Sequence, residues 1–238
     1  MYFFEVGDLV MEAIILAGGL GTRLRTVVQD LPKPLAPVNG KPFLEYILDN
    51  LCKQGIQTVI LAVNYKREHI QKYFKNNYKE MSIEYSIEKE PLLTGGAIKR
   101  ALSYCKEENV FVLNGDTYLE IDLSKMYQFH CEKQADITIA KKMMTDCTRY
   151  GIIQCQGDRV VGFHEKCPGV RGYINAGLYL MQKKMLNGIE KKKFSFEKEV
   201  LQCCVKSFNM YTYESEGYFI DIGIPEAYWK AQKDFFDN

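Results

Sequence analysis

One stretch limits what this chain can fold into: five apolar residues, Ala13-Ile14-Ile15-Leu16-Ala17, that run directly into Gly18-Gly19-Leu20-Gly21-Thr22-Arg23. The run is too short for a core helix and predicts a strand buried on both faces, as in a parallel sheet. Glycines at the carboxyl end of such a strand let backbone N–H groups come close to an anion. Open α/β sheets bind their ligands at that edge. Arg23 adds a fork that can chelate phosphate oxygens. Further along, Pro32-Lys33-Pro34 sets a second cation between two rigid φ angles. The stretch predicts a polyphosphate site.

The following residues supply a sheet to carry it. Apolar residues at 44, 47, 48 and 51 predict a helix over 42–54, with Gly55 at its C′ position. Strands are predicted over 58–63, 82–87 and 110–113, with helices over 66–74 and 95–105 between them. That alternation predicts an α/β fold of right-handed βαβ units, a Rossmann-like doubly wound and mostly parallel sheet. After residue 135 helices thin out. Strands over 137–140, 151–153, 160–163 and 174–181 predict additions to the same sheet and a small substrate-facing lobe, closed by a helix over 225–236.

Composition excludes several functions. Lys and Arg number 31 against 30 Asp and Glu, so there is no basic face of the kind a nucleic-acid binder needs. No apolar run approaches the roughly 20 residues that span a bilayer, so no membrane is implied. Residues 1–10 hold two acids and no basic segment; they read as an extension outside the core, not a signal peptide. Eight scattered cysteines without a C-x-x-C pair read as reduced thiols of a cytoplasmic protein. Cys203-Cys204, on an expected helix, reads as packing. His69, His130 and His164 lie outside the motifs and read as surface or satisfied residues.

Two familiar phosphate loops do not fit. A dinucleotide fingerprint needs glycine where Leu24 stands, and no Gly-Lys-Ser/Thr closes a Walker loop. What remains, G-G-x-G-T-R-L followed by P-K-P, resembles the signature of the sugar-1-phosphate nucleotidyltransferases, the sugar-nucleotide pyrophosphorylases. The resemblance covers residues 12 to about 232; one departure is Thr26, where relatives often carry Pro. It implies a GT-A-like nucleotidyltransferase domain over 11–238, its nucleotide-binding half over about 11–134 and its sugar-binding half over about 135–238. Nucleotide contacts would come from Leu16, Ala17, Gly18, Gly19, Gly21, Thr22, Arg23 and Lys33. Glu88 to Ala97 resembles the family's nucleobase loop, E-x-x-x-L-x-T-x-G-A, with Glu90, Thr94, Gly95 and Gly96 against base and ribose.

Asn114-Gly115-Asp116 ends the fourth predicted strand on the same edge as the glycines. Mg²⁺ is usually held by one or two carboxylates, with phosphates and waters completing its shell. Asp116 is the first expected ligand. Asp221, a lone acid in the apolar stretch 219–224, is the second, because a buried acid must be paired or metal-bound. The resemblance further implies sugar-phosphate contacts from Asp116, Tyr150, Gly151, Glu165, Lys166 and Asn175, with Arg23, Lys33 and Asp116 catalytic. The opening residues are most like the branch that joins GTP to D-glycero-α-D-manno-heptose 1-phosphate for surface polysaccharide. Another base, another phosphorylated sugar or choline phosphate, and a silent sugar-nucleotide sensor stay open, as does oligomeric state, a homodimer being one expectation.

Overall fold

The computed structural model describes residues 9–19, 21–24, 26–28, 30–164 and 169–236. The chain opens with β1 (Met11–Leu16), a hairpin of β2 (Pro37–Val38) and β3 (Lys41–Pro42), α1 (Phe43–Lys53), β4 (Ile56–Val63) and α2 (Arg67–Phe74). It continues through β5 (Asn77–Tyr78), β6 (Met81–Ile87), α3 (Leu93–Leu102), β7 (Asn109–Asn114), β8 (Thr117–Leu119) and α4 (Leu123–Glu132). Then come β9 (Ile137–Met144), β10 (Ile152–Gln156), β11 (Arg159–His164), β12 (Gly172–Gln182), β13 (Met210–Glu214), β14 (Phe219–Asp221) and α5 (Pro225–Asp234).

A ten-stranded sheet runs β10-β11-β13-β9-β12-β7-β1-β4-β6-β5. In its first half β6, β4, β1 and β7 are parallel. The chain adds strands on one side of β1, then returns to the other side with β7. That reversal is the switch point at which open α/β sheets bind ligands. The expectation of a mostly parallel sheet is corrected beyond β7: the sheet is mixed. β12 lies antiparallel between β7 and β9, and β10 pairs antiparallel with β11. For β10 and β11 the reason is connection length. Only Gly157 and Asp158 join β10 to β11; a parallel return needs a crossover of a dozen residues or more.

Ile14 and Ile15 point to opposite faces and are both fully buried, which is what a continuous apolar run requires. On one face Ala13, Ile15, Leu61 and Phe111 pack against α1, α2, α4 and α5. On the other, Ile14, Ile60 and Val112 pack against α3 and against Phe194, Phe196 and Val200. Residues Phe196–Gln202 form a π-helical stretch capped by Ser195; Cys203 and Cys204 lie just beyond it, not within a helix. No helix of the described residues is long and apolar enough to cross a membrane.

α4 has no counterpart in the sequence expectations. Asp122 caps it, accepting from Lys125 N at 2.9 Å, and its inner face is Leu123, Met126 and His130. His130 departs from the expectation of a surface or satisfied histidine. It is buried, Nδ1 lies 2.9 Å from Thr138 Oγ1, and Nε2 finds no partner among the described residues. Burial pulls its pKa down to about 4, so the ring is neutral at pH 7.

Candidate active site

A cleft of about 490 Å³ opens at the carboxyl ends of β1 and β7. Leu16 to Gly19 form one wall, and Lys33, Pro34 and Asn114 to Asp116 another; Asn64, Glu88, Pro91, Leu93, Thr94 and Glu197 line the rest. The two strand ends meet closely. Leu16 is in register with Asn114, and Gly115 N donates to Leu16 O at 3.0 Å. A Cβ on Gly115 would lie 2.7 Å from that carbonyl, so only glycine lets the glycine loop and Asp116 share one edge.

Charges gather here from distant parts of the chain. β8 and β14 pair antiparallel with Asp221 opposite Thr117, which brings Asp221 beside Asp116. Lys33 Nζ forms an ion pair with Asp116 and lies 4.0 Å from Asp221 Oδ1. Arg149 Nη2 lies 3.2 Å from Asp221 Oδ2, and its guanidinium stacks 5.2 Å over the Tyr150 ring. Burial, then the Asp116 charge, push the Asp221 carboxyl above the usual carboxylate range, against the pull of Lys33, Gly223 N and Arg149. The fold therefore holds two carboxylates together at an electrostatic cost. Among the described residues no group of three or more His, Cys, Asp or Glu side chains gathers. Asp116 in the cleft wall, with Asp221 beside it, fits a hard cation that takes its remaining oxygens from phosphates and water.

The other expected contacts divide. Leu16, Ala17, Gly18, Gly19, Lys33, Thr94 and Asp116 line the cleft. Gly21 lies behind it against the Lys33 side chain, and Arg23 is exposed on a short turn, Thr22–Leu24. The Thr22 side chain, Glu165 and Lys166 fall outside the described residues. Tyr150 packs edge-on against Phe219; burial first, then the Asp221 charge, push its phenol up to about 12. Gly151 is exposed, near His164 O. Asn175, expected at the sugar phosphate, makes one hydrogen bond through each end of its amide. Nδ2 donates to Tyr179 Oη at 2.8 Å and Oδ1 accepts from Gly177 N at 3.0 Å.

The nucleobase loop also differs from expectation. Glu90 is exposed and away from the cleft wall, whereas Glu88 is buried in that wall and accepts from Leu92 N at 3.0 Å. Burial raises the Glu88 pKa, opposed by that bond and by Arg100. Gly95 and Gly96 do not face the cleft; added Cβ atoms would meet the Phe194 ring and Lys192 O, each at 2.2 Å. These glycines let α3 pack on the 192–196 segment. Because the Gly96 clash is with backbone, Gly96→Ala should cost about 1–3 kcal/mol through overpacking. A urea titration should show a lower midpoint with an unchanged slope.

Sequence reasoning missed Asn64, Glu88 as a wall residue, Arg149 and Glu197. Glu88 opens the loop motif and Arg149 directly precedes Tyr150, so adjacency was their only signal. Leu93 adds strain at the rim: it enters α3 with φ of 61° and is half-exposed on the cleft.

A protein of Aneurinibacillus thermoaerophilus named D-glycero-alpha-D-manno-heptose 1-phosphate guanylyltransferase is 50% identical over 225 residues, spanning 94% of this chain and 98% of its own. One of the same name from Campylobacter jejuni subsp. jejuni is 50% identical over 221 residues, 92% of this chain and 97% of its own. Among solved structures, HddC from Yersinia pseudotuberculosis complexed with GMP-PN superposes with a TM-score of 0.85 at 38% identity, covering 95% of this chain and all of that one. The profile of the family described as Nucleotidyl transferase matches residues 12–238, from the first buried strand through the last helix. A switch-point cleft walled by glycines and by a lysine paired with an aspartate is thus accounted for, and the chain belongs to the nucleotidyl transferase family.

Proposed function

We propose that this chain transfers a guanylyl group from GTP to D-glycero-α-D-manno-heptose 1-phosphate, forming the GDP-activated heptose and pyrophosphate. One observation carries the reading: a cleft of about 490 Å³ is walled by Asp116, which pairs with Lys33 and lies beside Asp221, in a chain 50% identical to proteins named for that reaction. The nucleotide half would be about 11–134 and the sugar half about 135–238, a small lobe carrying Tyr150, Gly151, Glu165, Lys166 and Asn175; residues 1–10 would lie outside the domain.

The chemistry follows from charge. A sugar-phosphate oxygen attacks the α-phosphorus of GTP while the bond to the leaving pyrophosphate breaks. The attacking phosphate is nearly dianionic at neutral pH because its second pKa is about 6. It needs no general base, in keeping with histidines outside the cleft. It does need relief from repulsion, so positioning and electrostatics supply the rate. Lys33 and Arg23 would neutralise the α-phosphate and pyrophosphate, and Lys166 would hold the sugar phosphate. Asp116 and Asp221 would hold Mg²⁺, whose charge would screen the phosphates.

Glu88 takes the base-reading role first expected of Glu90. Its carboxylate can accept both N1–H and the 2-amino group of guanine. A pyrophosphate-release screen of four NTPs against a panel of sugar 1-phosphates tests the reading. GTP with the heptose should lead, mannose 1-phosphate should follow weakly and glucose 1-phosphate more weakly. Glu88→Gln should shrink the preference for GTP by about tenfold or more. A faster reaction with UTP, CTP or dTTP, or with glucose 1-phosphate, would overturn the substrate pair. Mannose 1-phosphate is the second reading, since proteins 34–35% identical are named mannose-1-phosphate guanylyl- or guanyltransferases.

A further inference from the structure

One polar wall of the cleft belongs to none of the expected motifs. Glu197 lines it from the π-helical stretch Phe196–Gln202, a rare backbone form that tends to occur at functional sites. Its carboxylate is held through a single oxygen. Thr94 Oγ1 donates to Oε2 at 2.6 Å and Ser195 Oγ donates to the same oxygen at 2.9 Å. Those tethers are themselves fixed: Thr94 Oγ1 accepts from Phe196 N at 2.9 Å, and Ser195 Oγ accepts from Lys198 N at 3.3 Å. The other oxygen, Oε1, has no hydrogen-bond partner among the described residues, and no cation there pairs with it.

A tether alone does not call for a charge, since a glutamine carbonyl could accept both hydroxyls with a smaller desolvation cost. The spare oxygen is an acceptor left over on a tethered side chain that lines the cleft. A phosphate is repelled by it, and among the described residues no group of three or more His, Cys, Asp or Glu side chains forms around it. What suits it is an uncharged donor. Its surroundings point the same way: Glu197 bonds Thr94 of the nucleobase loop, and Phe196 beside it packs edge-on against Tyr179, the partner of Asn175. The Phe196–Gln202 stretch thus touches the nucleobase loop through Thr94 and the neighbour of one residue expected at the sugar through Tyr179.

We infer that Glu197 Oε1 accepts a hydrogen bond from a carbohydrate hydroxyl of the bound substrates, on the incoming sugar or on ribose, and makes that hydroxyl a requirement of the site. The inference rests on the proposed joining of a nucleotide to a sugar phosphate. Glu197→Gln is the informative variant, because its carbonyl can keep both tethers while an amino group turns toward the cleft. Wild type and variant are compared on complete sugar 1-phosphates, on analogues each lacking one hydroxyl, and on 2′-deoxy- and 3′-deoxy-GTP. Wild type should lose roughly 10- to 100-fold in kcat/KM when the recognised hydroxyl is missing. E197Q should lose a similar factor on the complete substrate and little more on that analogue. Collapse of the difference on a deoxy sugar assigns the hydroxyl to the sugar; collapse on a deoxynucleotide assigns it to ribose.

A uniform loss across all analogues, no loss in E197Q, or a loss that follows guanine against hypoxanthine would overturn the inference. So would a wild type that tolerates every single-hydroxyl deletion within about threefold, a measurement that needs no variant to fold. Wild type releasing no pyrophosphate with any pair would sink the proposed function instead. Calorimetric binding of the same deoxy series to the wild type would then still decide the role of Glu197.

Discussion

Asp116→Asn and Asp221→Asn should each lower turnover by about 10²-fold or more at saturating magnesium, roughly 3 kcal/mol of transition-state stabilisation or beyond. Asn keeps the shape and an acceptor oxygen but removes the charge that a cation among phosphates needs. Asp221 carries a second expected result, of opposite sign. Its carboxyl is raised above its ordinary pKa by burial and by Asp116, so the fold disfavours its ionised form. A carboxyl whose folded pKa is raised destabilises the protein above that pKa, and the penalty is relieved as pH falls through it. Asp221→Asn should therefore unfold at a higher temperature than wild type in chelator at neutral pH, and the gap should narrow as pH is lowered. Thermal melts over that pH range, beside turnover assays, check both. Near-normal turnover in either variant would remove that residue from the metal site. A lower melting temperature for Asp221→Asn would show that its pairing with Lys33 and Arg149 outweighs its repulsion from Asp116.

Much of this arrangement was legible in sequence because its signals are local. The apolar run of residues 13–17, its glycines and the Asn114-Gly115-Asp116 strand end need only a parallel pairing to share an edge, and register delivers it. Asp221 was conspicuous as an acid within an apolar stretch, and β14 pairing with β8 brings it to Asp116. Strand direction beyond β7 was less visible, since periodicity does not decide it and, for β10 and β11, connection length does. α4 was hidden because its inner stripe is a Leu, a Met and a neutral histidine. Gly95 and Gly96 carry a second meaning that no motif encodes, as their missing side chains make room for a segment about 100 residues away. Arg149 and Glu197 gave the weakest signals. Each is one charge among many on a partly exposed segment, and only the fold brings Arg149 to Asp221 and Glu197 to the cleft.

The other large effect is expected at Lys33. Its side chain is nearly buried, paired with Asp116 and 4.0 Å from Asp221, so Lys33→Ala leaves two adjacent carboxylates without their nearest shared cation. Removing one partner of a fully buried pair costs about 3–5 kcal/mol. Asp116 is about a third exposed, so solvent screening reduces the expected loss of stability to about 1–3 kcal/mol. The loss of rate should be larger, about 10²-fold or more, because the same ammonium would face the phosphates. The two roles separate on adding a divalent ion. Magnesium, if held by Asp116 and Asp221 as proposed, would replace the missing positive charge and should raise the melting temperature of Lys33→Ala more than that of wild type, without restoring turnover. The kinetic defect should fall mainly on GTP, whereas Lys166→Ala should act mainly on the sugar phosphate. Varying each substrate in turn for the two variants decides the matter: a defect on the same substrate for both would break the division of labour. Turnover restored by magnesium alone would reduce Lys33 to a structural counter-ion.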